Sequence, residues 1–95
     1  MARQLLQELH KANEADAQEM AALLREERWD DLERLVHKIK GAMELIDAQP
    51  LLAHCIAFGA AHGRGAEATD LMRLGEAIGK SLGGLQRELE QLLGD

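Results

Sequence analysis

The stretch that decides the fold is residues 29–46, which read WDDLERLVHKIKGAMELI. Its apolar residues recur at the spacing of three and four positions that is typical of an amphipathic helix. On a helical wheel they fill one broad arc, made of Leu32, Leu35, Val36, Ile39, Met43 and Ile46. The centre of that arc lies opposite His37, so the pattern predicts that His37 is on the solvent side of the helix.

The residues that share the exposed side with His37 make it a candidate nucleophile. Gly41 follows one turn later, where a glycine lowers helix stability and leaves room for another protein to approach. Lys40 places a positive charge near the ring, where it would stabilise an added phosphoryl group. A neutral imidazole nitrogen is a nucleophile near pH 7, so these parts suit phosphoryl transfer. Most exposed histidines on helices have no such task, and position alone leaves both interpretations open.

The composition predicts an all-α chain. Leu, Ala, Glu, Gln and Arg dominate, and aromatic residues make up only 2% of the 95 residues, whereas strand-rich domains hold more aromatic and β-branched residues. Besides the helix around His37, helical segments are predicted at about residues 2–12, 13–27, 50–61 and 67–93. We expect a single domain over residues 1–95, an up-down antiparallel four-helix bundle with a short extra N-terminal helix.

Local signals set the predicted helix boundaries. Asn13, with Asp16 three positions later, predicts the N-cap of the second helical segment. Asp30 predicts the cap of the helix that carries His37, and Pro50 suits the first turn of the next helix. Residues 62–65 form the clearest loop.

Three glycines of the last helix, Gly75, Gly79 and Gly83, are four residues apart and share one face. Such a face lets a neighbouring helix come close, or else it marks a helix that is weak or kinked. The sequence leaves these two interpretations open.

Charge and cysteine content argue against several functions. The formal net charge of −6 does not provide the positive surface that nucleic-acid binding needs. No apolar run approaches the roughly 18 residues of a membrane span. Cys55 is the only cysteine and is predicted to be a small buried hydrophobe. It does not form a helical metal-ligand pattern with His54 and His62, so no metal site is expected. A cytoplasmic location is expected, or the cytoplasmic end of a membrane-anchored protein.

Residues 37–42, HKIKGA, resemble the signature of histidine-containing phosphotransfer (HPt) domains. That signature has a His, an aliphatic residue two positions later, then Lys and Gly, followed by small residues. The resemblance covers about residues 14–60 and includes the acidic turn at residues 29–30, as well as Ala48, Leu51 and Cys55. Among HPt domains, the sequence is most similar to those appended to hybrid sensor kinases. Asp47 stands where the family usually has Gly, and Gly59 where an acidic residue often occurs.

The resemblance implies that His37 accepts a phosphoryl group, through its ring Nε2, from an aspartate of a receiver domain and passes it to another receiver. The chain would be a phosphotransfer intermediate without its own ATP site or cofactor, and the receiver would hold the magnesium ion. Lys40 would neutralise charge and Gly41 would allow access. The partners would be receivers of hybrid sensor kinases and response regulators, met by a monomer. The expected partner-binding residues are Glu33, Arg34, Lys38 and Glu44.

Two other classes of protein compete with this interpretation. A helical interaction module without phosphoryl chemistry would also be an acidic bundle with apolar faces. A kinase dimerisation domain also carries a helical histidine, but an acidic residue follows it there, whereas Lys38 follows His37 here.

Overall fold

The computed structural model describes the backbone of residues 2–94 and the side chains of residues 3–94. Four helices form, and no strand occurs in this range. They are α1 (Ala2–Arg25), α2 (Trp29–Ile46), α3 (Gln49–Gly63) and α4 (Ala68–Gly94). The prediction of an all-α chain is confirmed. The predicted domain limits at residues 1 and 95 lie outside the described residues.

The helices run up and down around one core. Short turns join consecutive helices, so each is antiparallel to the next. Helix α1 packs on α2 and α4, and α3 packs on the same two helices from the other side. Within residues 2–94, no helix combines the length and the apolar character that a membrane crossing needs.

Helix α1 is continuous, so the prediction of a short separate N-terminal helix is wrong. Asn13 does not cap a helix but lies inside α1, where it is only 2% exposed. Packing against α4 explains the difference. The Arg3 guanidinium donates a hydrogen bond to the Leu93 carbonyl at 2.7 Å, and the Gln86 side-chain amide donates one to the His10 carbonyl at 2.9 Å. These contacts hold α1 in one helix through a residue whose local preference is for a break.

The start of α2 also differs from the prediction. The N-cap position is Arg28, which makes no side-chain capping bond, so Asp30 is not the cap. Asp30 lies in the first helical turn, where its negative charge suits the helix dipole. Its carboxylate Oδ1 lies 2.9 Å from Nε2 of His62, in the last turn of α3. Asp30 therefore joins the two helices rather than capping one.

The end of α2 explains a departure from the family pattern. Asp47 follows the helix with φ 54° and ψ 43°, in the left-handed region that glycine enters most easily. The next backbone amide, of Ala48, donates a hydrogen bond to the Met43 carbonyl at 3.2 Å. This is the usual left-handed helix end. Aspartate is among the few other residues that adopt this conformation readily, so Asp47 keeps the turn that the usual glycine makes.

The hydrophobic core confirms the buried face that the helical wheel predicted for α2. Five of the six predicted apolar residues are buried, and Ile46 at the end of the helix is 43% exposed. They pack on residues of every other helix, among them Met20, Phe58, Ile78 and Leu82. The side of α2 opposite the core is the one that carries His37.

The three α4 glycines do not share one explanation. A Cβ on Gly75 would lie 2.6 Å from Cδ2 of Leu24, so this glycine lets α1 come close. A Cβ on Gly79 would meet nothing within 4 Å, and one on Gly83 would meet only the Arg87 side chain. Helix α4 is unbroken through all three positions. Close approach therefore accounts for Gly75 alone.

Candidate functional site

His37 lies in the middle of α2 with its side chain exposed, while its neighbour Val36 is buried in the core. The chain's other three histidines, His10, His54 and His62, are half-buried. Of these, His10 lies 3.0 Å from a Glu90 carboxylate oxygen, and His62 is paired with Asp30. No side-chain partner of His37 occurs within the described residues. His37 is thus the histidine whose ring is most open to another molecule.

A groove of about 570 Å³ runs beside His37 between α2 and α3. Lys40 lines it and is half-buried, with its Nζ 3.8 Å from a carboxylate oxygen of Glu44. An ion pair this long and partly exposed is weak. The ammonium group is therefore available to a second anion beside the ring. Glu33 also lines this groove, on the same side of α2.

The opposite side of α2, toward α1, is a network of ion pairs. Lys38 donates from its Nζ to Oδ1 of Asp16 at 3.1 Å, and this carboxylate is buried. Arg34 and Arg28 both donate to the Asp31 carboxylate. The charges on this side of α2 are thus largely satisfied within the chain.

The structure therefore divides the predicted partner-binding residues into two pairs. Glu33 and Glu44 line the α2–α3 groove together with His37 and Lys40. Arg34 and Lys38 face α1 and are engaged in the ion pairs just described.

Gly41 is exposed, and a Cβ placed on it would meet no atom within 4 Å. Its φ is not positive, so neither backbone conformation nor packing requires a glycine here. A glycine in a helix interior is less stable than alanine by roughly 0.5–1 kcal/mol. What this glycine provides is a bare stretch of helix one turn from His37.

Cys55 lies under the groove and is 1% exposed. Burial raises the pKa of its thiol to about 11, and the nearby charge of Lys40 opposes that rise only in part. The thiol therefore stays protonated at neutral pH and packs as a small apolar side chain, which confirms the prediction for this residue. Within residues 2–94, no group of three or more His, Cys, Asp or Glu residues is arranged to hold a metal ion.

The α3 side of the groove was missed by the sequence analysis. Ile56, Gly59 and Ala60 line it directly across from α2. A signal for this side was present in the sequence, since residues 49–63 contain no Asp, Glu, Lys or Arg although much of the helix is exposed.

In a comparison with protein families, a family model described as Hpt domain matches residues 4–95 of the chain. Comparisons with curated proteins and with solved structures gave no match.

Proposed function

We propose that His37 is the phosphoryl carrier of this chain, which belongs to the Hpt domain family, the histidine phosphotransfer modules of phosphorelays. The observation that carries the proposal is the exposure of His37 in the middle of α2. The chain's other three histidines lie on other helices and are half-buried. Lys40 in the adjacent groove supports it.

The phosphoryl transfer uses only chemical groups of this chain and of the receiver domain. The lone pair on Nε2 of His37 attacks the phosphorus of a receiver's aspartyl phosphate. The new N–P bond forms as the acyl P–O bond breaks, and the bonding electrons leave with the aspartate carboxylate. The proton on Nδ1 stays on the ring or passes to water. In the reverse step, a receiver carboxylate attacks the phosphohistidine and the imidazole leaves.

Lys40 and Gly41 support this chemistry in different ways. The ammonium of Lys40 stabilises the negative charge of the phosphoryl group during transfer and on the ring afterwards. Gly41 keeps the surface next to His37 bare, so that the receiver's active site reaches the ring. In this proposal the magnesium ion of the reaction is held by the receiver, and this chain supplies no cofactor.

Hpt domains work with receiver domains. For this chain we propose the receivers of hybrid sensor kinases and of response regulators as partners, met by a monomer on the cytoplasmic side. Glu33 and Glu44 lie close enough to His37 to contact such a receiver, since all three line one groove.

The test is phosphotransfer from purified, radiolabelled phospho-receivers to the protein and to its His37→Gln variant. The proposal expects label on the wild type that is lost in acid and kept in alkali, and none on the variant. A His54→Gln variant is the matched control and should be labelled like the wild type. If the His37→Gln variant is labelled equally well, His37 is not the carrier. If no receiver labels any form, an interaction module without phosphoryl chemistry replaces the proposal.

A further inference from the structure

Helix α3 carries no charged Asp, Glu, Lys or Arg side chain on any face. From Ala53 onward its exposed residues are all alanine, isoleucine or glycine, namely Ala53, Ile56, Ala57, Ala60 and Gly63. A surface helix normally sets an apolar face against a polar one, and a helix that is apolar all round is normally buried. Here α3 is covered on one side only.

The uncovered face of α3 continues directly into the candidate site. Ile56 is 56% exposed and lines the same groove as His37 and Lys40. Gly59 and Ala60 form the neighbouring part of the groove. Because these side chains are small, the large aliphatic side chain in this part of the groove is Ile56.

On the other side of His37, toward α1, few side chains are available for contact with a partner. The cations there, Arg34 and Lys38, are already paired with carboxylates of the same chain. A docking partner would have to break those ion pairs or leave them at its edge. Surface of this kind contributes little to affinity.

We propose that the receiver which exchanges a phosphoryl group with His37 docks over the α2–α3 side of the bundle, with Ile56 as its apolar anchor. The part of the receiver that covers α3 is apolar and weakly charged, and it lies next to the phosphorylated aspartate. This inference rests on the proposed function and adds which side of His37 the receiver covers.

The test compares two exposed aliphatic residues, Ile56 inside the groove and Leu45 outside it. Ile56→Ser removes the proposed anchor, and Leu45→Ser removes a side chain that is 88% exposed on α2 and does not line the groove. The rate constant kcat/KM for transfer from a phospho-receiver should fall about tenfold in Ile56→Ser, as expected for the loss of a buried aliphatic contact. KM should rise while kcat stays unchanged, since Ile56 does not touch the reacting atoms. Leu45→Ser should match the wild type.

Phosphoramidate, a small phosphoryl donor that needs no docking surface, separates the two proposals. It should label His37 equally in the wild type, Ile56→Ser and Leu45→Ser. If Ile56→Ser also accepts label from the receiver as fast as the wild type, the docking proposal is overturned while His37 remains the carrier. If neither phosphoramidate nor any receiver labels the wild type, the proposed function itself fails.

Backbone amide chemical shifts give a second measurement that needs no variant. Addition of an unphosphorylated receiver should shift amides in residues 53–60 of α3 and around His37. Larger shifts in residues 16–26 of α1 than in α3 would contradict the docking proposal.

Discussion

The two sides of α2 are built from different chemistry although they belong to one helix. Toward α1, charged side chains pair with one another, and the buried carboxylate of Asp16 depends on Lys38. Toward α3, His37 and Lys40 face a groove with uncharged α3 residues on its far side. The charged groups of the first side are paired with one another. On the second side, His37 has no side-chain partner within the described residues, and Lys40 has only a long ion pair with Glu44. Substitution of a charged residue on the α1 side should therefore change mainly stability, and substitution of a residue on the α3 side should change mainly phosphotransfer.

The largest expected effect is on stability, from Lys38→Met. This change leaves the buried Asp16 carboxylate without its cation, and we expect the free energy of unfolding to fall by about 2 kcal/mol. The loss is smaller than for a fully buried pair because Lys38 is 69% exposed. Urea unfolding followed by circular dichroism measures it, and the transfer rate should change less than about twofold.

Two controls define that result. Arg34→Gln removes a cation of the same side whose partner Asp31 is more exposed, and it should lower stability by less than about 0.5 kcal/mol. Asp16→Asn combined with Lys38→Met should lose clearly less stability than the sum of the two single changes. Additive losses would show that the two side chains do not depend on each other.

The next effect is on the reaction, from Lys40→Gln. Loss of the ammonium beside His37 should slow transfer from a phospho-receiver about tenfold, or roughly 1.4 kcal/mol in the activation free energy. Its ion pair with Glu44 is long and partly exposed, so unfolding should change little. The exposed Lys80→Gln on α4 is the matched control and should leave the rate unchanged. If Lys40→Gln instead behaves like Lys38→Met, the division between the two sides is wrong.

The smallest effect comes from Gly41→Ala and is expected in opposite directions in two assays. Because a Cβ there meets nothing within 4 Å, the free energy of unfolding should rise by about 0.5–1 kcal/mol. The rate of transfer from a receiver should fall, since the added methyl group narrows the approach to His37. Gly79→Ala, also without a close neighbour, should give the same gain in stability with an unchanged rate. A Gly41→Ala variant that is both more stable and equally fast would remove the access role of Gly41.

The sequence predicted α2 and the exposure of His37 well because a strongly two-sided helix reveals its own orientation. It did not predict the continuity of α1, since the contacts with α4 that hold Asn13 inside a helix join residues more than 70 positions apart. Nor did it predict the partner of Asp30, which lies 32 positions away in His62.

The α3 side of the site was missed for a different reason. Analysis of hydrophobic periodicity locates a face by its contrast with the opposite face, and α3 has almost no such contrast. Which of its apolar residues remain exposed depends on where α2 and α4 pack, and that is a property of the assembled bundle. Ile56 was therefore visible only in the structure.

The most direct test of the account is to find the phosphorylated atom. The protein is treated with phosphoramidate, and the imidazole nitrogens of all four histidines are followed by ¹H–¹⁵N NMR. We predict a single phosphoryl group on Nε2 of His37, with His10, His54 and His62 unmodified. A phosphoryl group on one of the other three histidines, with His37 free, would contradict the assignment of His37 as the carrier.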